Sequence, residues 1–464
     1  DITPETILEE WVPVDTLTGV RVSICNSKGK LLLSWEPEPN EIKEVPEPAK
    51  AALDPKDIRT TEQLYLTGLH LEQYRHATYS ATDYYEEALS RDPDDVRNNN
   101  AMGLWLIRKG QFAKAEPYLR RAVKTLTEKN PNPYDGEPLY NLGLSLKYQG
   151  KTDEAYDCFY KACWNAAWQD AGYYSLAQLS ASKGNWEEAL YEIDKSLLRN
   201  WHNLRGRHLK AVVLRHLGRV DEALALIRES LAIDRFNFGC SFEEYLLTGE
   251  KAVLDDLLVR MRSEGHNYEE LSLDYASAGC WEEALKVVEV AFEVVVSERT
   301  LLYYYKSWFL LSLDRLKEAE MAICVAEHQP ADCCFPNTLE AIMALQAVIR
   351  FADVAPKAHY YLGNLWYDKR QYPEAVAEWE KSVEQDDTFP TVLRNLSLAY
   401  FNKLNKQQEA VVLLERAFKL DIRDARILME LDQLYKRLNR SHADRLDLLD
   451  KLKDVAFSLS LIHI

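Results

Sequence analysis

Six side chains that form strong hydrogen bonds crowd into residues 70–76 and could together hold a sugar. They are His70, Glu72, Gln73, Tyr74, Arg75 and His76. Imidazole, carboxylate, guanidinium and phenol groups all bind hydroxyls, so this segment could contact a carbohydrate in the cleft of a preceding domain. The alternative is a polar domain interface or a network that caps a helix. We favour this alternative, because the ends of helical arrays commonly carry polar residues.

A phenol and two carboxylates follow in a second short segment, at Tyr134, Asp135 and Glu137. Two carboxylates can act as acid and base on a glycosidic bond. These residues lie in or next to a polar Pro-x-Pro stretch, however, and exposed acids in such a loop are ordinarily solvated. The sequence therefore favours a solvated turn over a catalytic site.

Two tryptophans, Trp164 and Trp168, are four residues apart, which places them on one face of a helix, with Tyr173 and Tyr174 at the start of the next helix. Aromatic faces stack on sugar rings and also anchor partner peptides. At this spacing, packing in the core or between repeats is the commoner role, and it is the one that we expect here.

Composition excludes several functions. The 464 residues carry 74 acidic against 56 basic side chains, a formal net charge of -18, without a clustered basic stripe, so nucleic-acid binding is not expected. Hydrophobic residues make up 47% of the chain, yet no run approaches the ~18 apolar residues of a membrane helix. We expect a soluble folded protein that does not bind membranes.

The eight cysteines show no C-x-x-C pair and no zinc spacing, so we expect neither a metal site nor a cofactor. Scattered thiols of this kind are typical of a reducing compartment, which predicts a cytoplasmic protein. Export is not excluded, because the sequence begins at Asp1 without a methionine. The adjacent pair Cys333 and Cys334 could be redox-active, but simple packing is the better interpretation.

An internal repeat organises most of the chain. A small residue, an alanine twelve positions later, a large apolar residue four further on and a small residue three after that recur with a commonest spacing of 34 residues. Most units also place glycine five residues before the key alanine, where a helix needs a left-handed C-terminal cap. The key alanines are Ala81, Ala115, Ala155, Ala189, Ala223, Ala284, Ala319, Ala375 and Ala410.

This pattern resembles the tetratricopeptide repeat family from about residue 61 to residue 438. The resemblance implies an all-α fold, a right-handed superhelix of about nine to eleven helix pairs (an α-α solenoid). From the residues that precede the repeat, we expect a small β remnant at its N-terminal side. Three interruptions of the repeat predict a polar loop at 128–136, a shortened unit with helices over 242–248 and 252–261, and an extra helix over 338–349.

Outside the repeat, β-rich runs at 20–25 and 30–35 flank the turn residues 26–29 and predict a hairpin. We therefore divide the chain into a remnant of an upstream β domain (1–35), a proline-rich linker (36–60), the repeat array (61–440) and a C-terminal helix with a non-native tail (441–464). The tail 459–464 looks like a translated sequencing adapter, which suggests a fragment truncated at both ends; the alternative is an ordinary apolar tail.

Residues 68–76, 130–137 and 161–165 also resemble one bacterial family. Its members carry an N-terminal β-sandwich domain of unknown function, of the galactose-mutarotase-like, carbohydrate-processing type, followed by a helical array. The resemblance implies that any sugar-handling domain lies upstream and is mostly missing from this chain.

The leading functional prediction is a scaffold whose concave A-helix surface docks its own upstream domain, a second copy or a partner protein, over ~800 Å² a side. The alternative is that the N-terminal end of the array completes the active site of a glycoside-acting enzyme, with His70, Arg75 or Glu137 reaching the sugar. This chain alone is not expected to be an enzyme. A clamp for peptide carboxylates is not supported, because the candidates Asn100, Asn141, Arg205, His208 and Arg215 do not make the full set.

Overall fold

The computed structural model describes residues 9–38, 48, 50–74, 76, 78–296, 299–331 and 334–460, and the chain divides into two compact units, 1–53 and 54–464. Arg75 and Cys333, both singled out above, lie outside the described residues.

The first unit contains an antiparallel hairpin of strands β1, Val22–Cys25, and β2, Leu31–Trp35. The side-chain oxygen of Asn26 accepts hydrogen bonds from the backbone amides of Lys28 (3.0 Å) and Lys30 (2.9 Å) and so fixes the turn. The predicted hairpin is confirmed. Both faces of both strands are exposed within this unit, although they carry large apolar side chains.

The second unit is helical, and the predicted all-α solenoid class is confirmed. Its described residues form 24 α-helices, which we number in chain order: α1 Thr61–Gln73, α2 Ala81–Arg91, α3 Val96–Arg108, α4 Phe112–Thr127, α5 Glu137–Tyr148, α6 Thr152–Ala162, α7 Gln169–Ser182, α8 Trp186–Arg199, α9 Leu204–His216, α10 Val220–Ile233, α11 Phe238–Thr248, α12 Lys251–Met261, α13 Gly265–Ser277, α14 Trp281–Val294, α15 Thr300–Ser312, α16 Leu316–His328, α17 Leu339–Phe351, α18 Pro356–Asp368, α19 Tyr372–Gln385, α20 Pro390–Lys403, α21 Gln407–Leu420, α22 Ala425–Arg437, α23 His442–Lys451 and α24 Lys453–Ser460.

Successive helices from α1 to α16 pack as A and B helices of eight pairs, and the pairing resumes with α18 and α19. Helix α17 stands between these two series without a B helix and packs against both α15 and α18. The extra helix predicted near residue 338 is therefore confirmed. The shortened unit predicted after residue 235 is also confirmed as α11 and α12, although α11 begins four residues earlier than predicted, at Phe238.

The small residues of the repeat are required by packing inside each pair. A Cβ atom added to Gly103 would lie 2.4 Å from the Leu119 side chain, and one added to Gly143 would lie 2.6 Å from Phe159. Glycine in the A helix thus leaves room for the large residue of the B helix. Within the described residues, every key alanine from Ala115 onward is fully buried, as the repeat pattern predicts.

The turn between A and B helices needs a left-handed residue in every regular pair. The predicted glycines have φ between +71° and +75° at residues 110, 150, 184, 218 and 279. The equivalent positions of later pairs hold Asp314, Arg370 and Asn405, with φ between +54° and +60°. A search for glycine misses these turns, because asparagine and aspartate also tolerate this conformation and arginine adopts it at residue 370.

The array also folds back on itself, so that A helices far apart in sequence face each other. The amide of Gln178 on α7 donates to the Ser277 hydroxyl on α13 (2.7 Å), and the Tyr148 hydroxyl on α5 donates to Glu340 on α17 (3.0 Å). Lys114 reaches Glu374 at 2.7 Å, across 260 residues. The A-helix faces of α5, α7 and α9 are therefore covered by the chain's own later helices.

None of the helices in the described part of the chain is both long enough and apolar enough to cross a membrane.

Candidate functional site

The first predicted cluster, in residues 70–76, takes part in packing at the end of α1. The Glu72 carboxylate accepts a hydrogen bond from the Tyr85 hydroxyl (3.2 Å) and forms an ion pair with Arg108 of α3. Burial raises the pKa of Tyr85, and the nearby Glu72 carboxylate raises it further. His70 is exposed, and its ring lies 4.5 Å from that of Tyr74.

His76 holds the turn that leads from α1 to α2. Its Nδ1 atom accepts hydrogen bonds from the backbone amides of Thr78 and Tyr79, both at 3.2 Å. These contacts agree with the interpretation of residues 70–76 as a capping network. A role of this segment in sugar binding stays a prediction.

The second cluster surrounds the beginning of α5. Asp135 accepts a hydrogen bond from the backbone amide of Glu137 (2.9 Å), and the Glu137 carboxylate accepts one from the Asn100 side chain (3.0 Å). Asn100 in turn accepts a bond from Asn141 (2.9 Å), so the cluster ties α3 to α5. Tyr134 is 96% exposed, as expected for a solvated loop.

The two tryptophans do not share a helical face, and that prediction is wrong. Helix α6 ends at Ala162, and the Asn165 side chain caps a single 3₁₀ turn by accepting a bond from the Ala167 amide (3.0 Å). Trp164 is consequently 58% exposed, whereas Trp168 stacks on Tyr140 with ring centroids 4.9 Å apart. Tyr173 and Tyr174 lie inside α7, four and five residues after its first residue, rather than at its start.

The first and second clusters lie at opposite ends of the A helices, one at the C-terminal ends of α1 and α3 and the other at the N-terminal ends of α3 and α5. The beginnings of α1 and α3 meet where Asn98 donates to the Thr61 carbonyl (3.3 Å), and their ends meet at the pair of Glu72 and Arg108. A helix of this length spans about 20 Å. Glu137, which contacts the beginning of α3, therefore cannot share a small-molecule site with His70 or Glu72.

The structure instead assembles a polar pocket that the sequence did not reveal, which we call the interior pocket. It has a volume of about 360 Å³ and lies where α5, α7 and α9 face α13 and α17. Its lining residues are Tyr140, Leu144, Lys147, Tyr148, Tyr174, Ser175, Gln178, Arg205, Glu270, Leu273, Asp274, Ser277 and Glu340.

The ammonium group of Lys147 lines this pocket, and few neighbouring groups offset its positive charge. Its Nζ atom donates to the Gln178 side-chain oxygen at 2.7 Å, and no carboxylate oxygen of the described residues lies within 4.0 Å. Burial among the surrounding helices lowers the pKa of Lys147 to about 8, and the more distant Glu340 opposes this effect.

Acidic groups dominate the other walls. Arg205 pairs with Glu270 at 2.7 Å and lies 3.4 Å from Asp274. Burial raises the pKa of Asp274 to about 6, although Arg205 acts in the opposite direction. With Glu340 included, the lining holds three carboxylates against two cations, and these charges come from the three A helices α5, α9 and α13 and from α17.

Sequence reasoning missed this pocket because its walls are up to 200 residues apart. Arg205 was noted above as a candidate for a peptide clamp, and this was the only signal of its role. Charged residues on A-helix faces could have raised the question, but the repeat pattern does not say which A helices will face each other.

A third group of ionisable residues lies beside the pocket. His216, Cys280 and Glu283 bring potential metal ligands within 4.8 Å of one another. Arg215 already pairs with Glu283 (2.8 Å) and with Glu243 (2.7 Å), and burial raises the pKa of Cys280. A guanidinium at the carboxylate and a protonated thiol both disfavour a metal ion, so we interpret this group as a structural network.

Comparisons with known proteins identify tetratricopeptide repeats in the chain. Family models of the tetratricopeptide repeat match residues 136–163 and 337–389. Human Tetratricopeptide repeat protein 7A is 34% identical over 99 residues, which is 21% of this chain and 11% of the human protein. This chain therefore spans only a small part of the length of that curated relative.

Solved structures with similar helical arrays have low sequence identity. The MamA protein is 21% identical, with 37% of this chain and 91% of that one covered at a TM-score of 0.33. A tetratricopeptide repeat protein of Parabacteroides merdae is 15% identical, with 68% and 98% covered at a TM-score of 0.28. The Naa15/Naa10 complex bound to HypK-THB gives 14% identity, 85% and 63% coverage and a TM-score of 0.29.

Proposed function

We propose that this chain is a protein-interaction module and that its partner binds at the N-terminal ends of the first three A helices, α1, α3 and α5. The observation that carries this proposal is a difference in exposure along the A-helix row. The faces of α5, α7 and α9 around the interior pocket are covered by α13 and α17, whereas the beginnings of α1 and α3 present exposed charged side chains. We therefore assign partner binding to the uncovered N-terminal ends of α1, α3 and α5, which we call the open end of the A-helix row.

The chemistry of this open end suits a protein partner. Arg97 on α3 forms an ion pair with Glu62 on α1, and both side chains are more than half exposed. The Arg97 guanidinium also lies 4.9 Å above the ring of the half-buried Tyr65. Burial and the nearby Glu137 raise the pKa of Tyr65, so the phenol stays protonated and can donate a hydrogen bond. Arginine and tyrosine are enriched among the residues that dominate binding energy at protein interfaces.

Site-specific photo-crosslinking tests the proposal. A benzophenone side chain introduced at Leu66, which is exposed on α1, should crosslink to the partner, whether that is the upstream domain, a second copy or another protein. The control is the same group at Val259, which is 75% exposed on α12. Equal crosslinking from both positions, or none from Leu66 in a complex that forms, would place the interface elsewhere.

We further propose that this module belongs to a bacterial protein that binds or processes carbohydrate through a galactose-mutarotase-like β domain upstream. The support is the resemblance of the three segments given above. The hairpin adds to it, because Leu31, Leu33 and Ile24 are about half exposed, and an isolated hairpin is only marginally stable in water. These side chains would be buried if the hairpin joined a larger sheet.

Thermal shift with a panel of monosaccharides, applied to this chain and to the full-length gene product, tests the carbohydrate proposal. A rise in Tm in the full-length protein alone supports recognition upstream. A rise in both proteins would mean that the array itself binds sugar, which favours the enzyme alternative with His70 or Glu137 near the ligand. If the Tm rises in neither protein, the result contradicts sugar binding by the upstream domain and also sugar binding by the array.

A further inference from the structure

We propose that the interior pocket binds a small zwitterion of the free α-amino-acid class, with the ligand carboxylate on Lys147 and the ligand ammonium group on Asp274 and Glu340. This inference goes beyond the interaction function, because it concerns a different surface and a small molecule.

The pocket has two charged sides, which we call its poles, and the pole that would bind the ligand carboxylate is Lys147. An ammonium group has three N–H donors, and the described contacts of Lys147 use one of them, toward the neutral amide of Gln178. A charged group in such surroundings lowers the stability of the fold unless it is paired. An anionic acceptor bound in the pocket would supply the missing partner.

The pole for the ligand ammonium group is the acidic wall. Arg205 is already engaged by Glu270 and Asp274, so it does not neutralise Glu340 as well. Within the described residues, Glu340 accepts one hydrogen bond, from Tyr148. A cationic donor placed between Asp274 and Glu340 would balance the excess negative charge of the lining.

The combination of poles selects a zwitterion. A simple anion would meet three carboxylates, and a simple cation would meet Lys147 and Arg205. A molecule that carries both charges on one short frame satisfies both poles without net repulsion. Leu144, Leu273 and the ring of Tyr174 provide apolar surface for a side chain, and the volume of about 360 Å³ is typical of small-ligand sites.

The position of the poles gives the ligand a structural role. Lys147 belongs to α5, whereas Asp274 and Glu340 belong to α13 and α17, so a bound zwitterion would connect helices that meet only because the array folds back. Ligand binding should therefore raise the Tm of the whole array.

Calorimetric titration and thermal shift with the twenty L-amino acids, one at a time, test the proposal. Acetate, methylammonium and glucose serve as anion, cation and polyol probes. We expect at least one amino acid to bind and raise the Tm, and the three other probes not to bind. Lys147→Met should weaken that binding about tenfold or more, since a charge-assisted hydrogen bond is lost.

Two further variants keep the result interpretable. Lys317→Met, an exposed position on α16, should leave amino-acid affinity unchanged. Asp274→Asn should weaken binding and provides a second test if Lys147→Met does not fold. The proposal fails if no amino acid binds the folded wild-type protein, if glucose, acetate or methylammonium binds as well as any amino acid, or if folded pocket variants bind like Lys317→Met.

Discussion

The open end of the A-helix row and the interior pocket use similar side chains in opposite environments. At the open end, Glu62 and Arg97 form a pair that is more than half exposed. In the interior pocket, Lys147 lacks a carboxylate partner at close range, and the pKa of both Lys147 and Asp274 moves toward neutrality. The repeat places charges on the A helices in both regions. Charges that later helices cover lower the stability of the fold, whereas charges that stay in water have little effect on it.

The largest expected effect is at Arg215, on the covered side of the array. Arg215→Met would leave the carboxylate of Glu243, which has no exposed side-chain surface, without its cation. We expect the free energy of unfolding to fall by about 3–5 kcal/mol in urea titration. Arg219→Met, which breaks an exposed pair with Glu222, is the control and should lower the free energy of unfolding far less, because solvent screens this pair. If the free energy of unfolding falls by a similar amount in both variants, covered and exposed charges do not differ in their effect on stability.

A smaller effect tests how tightly the array folds back. Gly279 and Gly218 both have positive φ, but a Cβ atom on Gly279 would lie 2.7 Å from the Ser182 Cα atom, whereas Gly218 has open space. Gly218→Ala should therefore cost about 1 kcal/mol through backbone strain alone. Gly279→Ala should cost about 2–4 kcal/mol, because α7 must also move. Equal unfolding free energies for the two variants would mean that the contact between α7 and α13 is loose.

Removal of the Lys147 charge should stabilise the protein, in contrast to the two changes above. Lys147→Met should raise the free energy of unfolding by about 1–3 kcal/mol at neutral pH, because a poorly compensated charge is removed. The folded state lowers the pKa of Lys147 to about 8 from 10.5, so this lysine destabilises the fold below that pH. The advantage of the variant should shrink as the pH rises from about 8 toward 10. A variant less stable than wild type would show that the ammonium group is well paired.

The smallest effect concerns pH. The pKa of Asp274 is raised from 3.8 to about 6 by burial, with Glu270 and Glu340 adding to the effect and Arg205 opposing it. The unfolded state therefore loses its proton first, and this residue reduces stability as the pH rises from about 4 to 6. Relative to Asp274→Asn, the wild type should lose about 1–2 kcal/mol over that interval, measured as Tm at several pH values. A constant difference in Tm across this range would contradict the assignment.

Much of the fold was readable from the sequence because its contacts are local. The approach of Gly103 to Leu119 and of Gly143 to Phe159 occurs inside one helix pair, so the 34-residue spacing predicts it. The left-handed turns at Asp314 and Arg370 were missed, because an aspartate or an arginine in a sequence does not predict a positive φ.

The candidate site was far less predictable. The clusters around Glu72 and Glu137 both lie within the first three helix pairs, but they lie at opposite ends of the A helices, and the sequence does not reveal this separation. The interior pocket depends on how the whole array curves. That curvature is the sum of small rotations between successive pairs, and no single residue encodes it.

The ion pair of Lys114 and Glu374 has a consequence for synthesis of the protein. Their positions are 260 residues apart, and a ribosome that adds about 5–20 residues per second needs roughly 10–50 s to travel between them. During that interval the early pairs can fold by themselves, while the surface of α5 that later faces α17 stays open to chaperones or to another nascent chain. Completion of the pocket is therefore a late event, timed by translation.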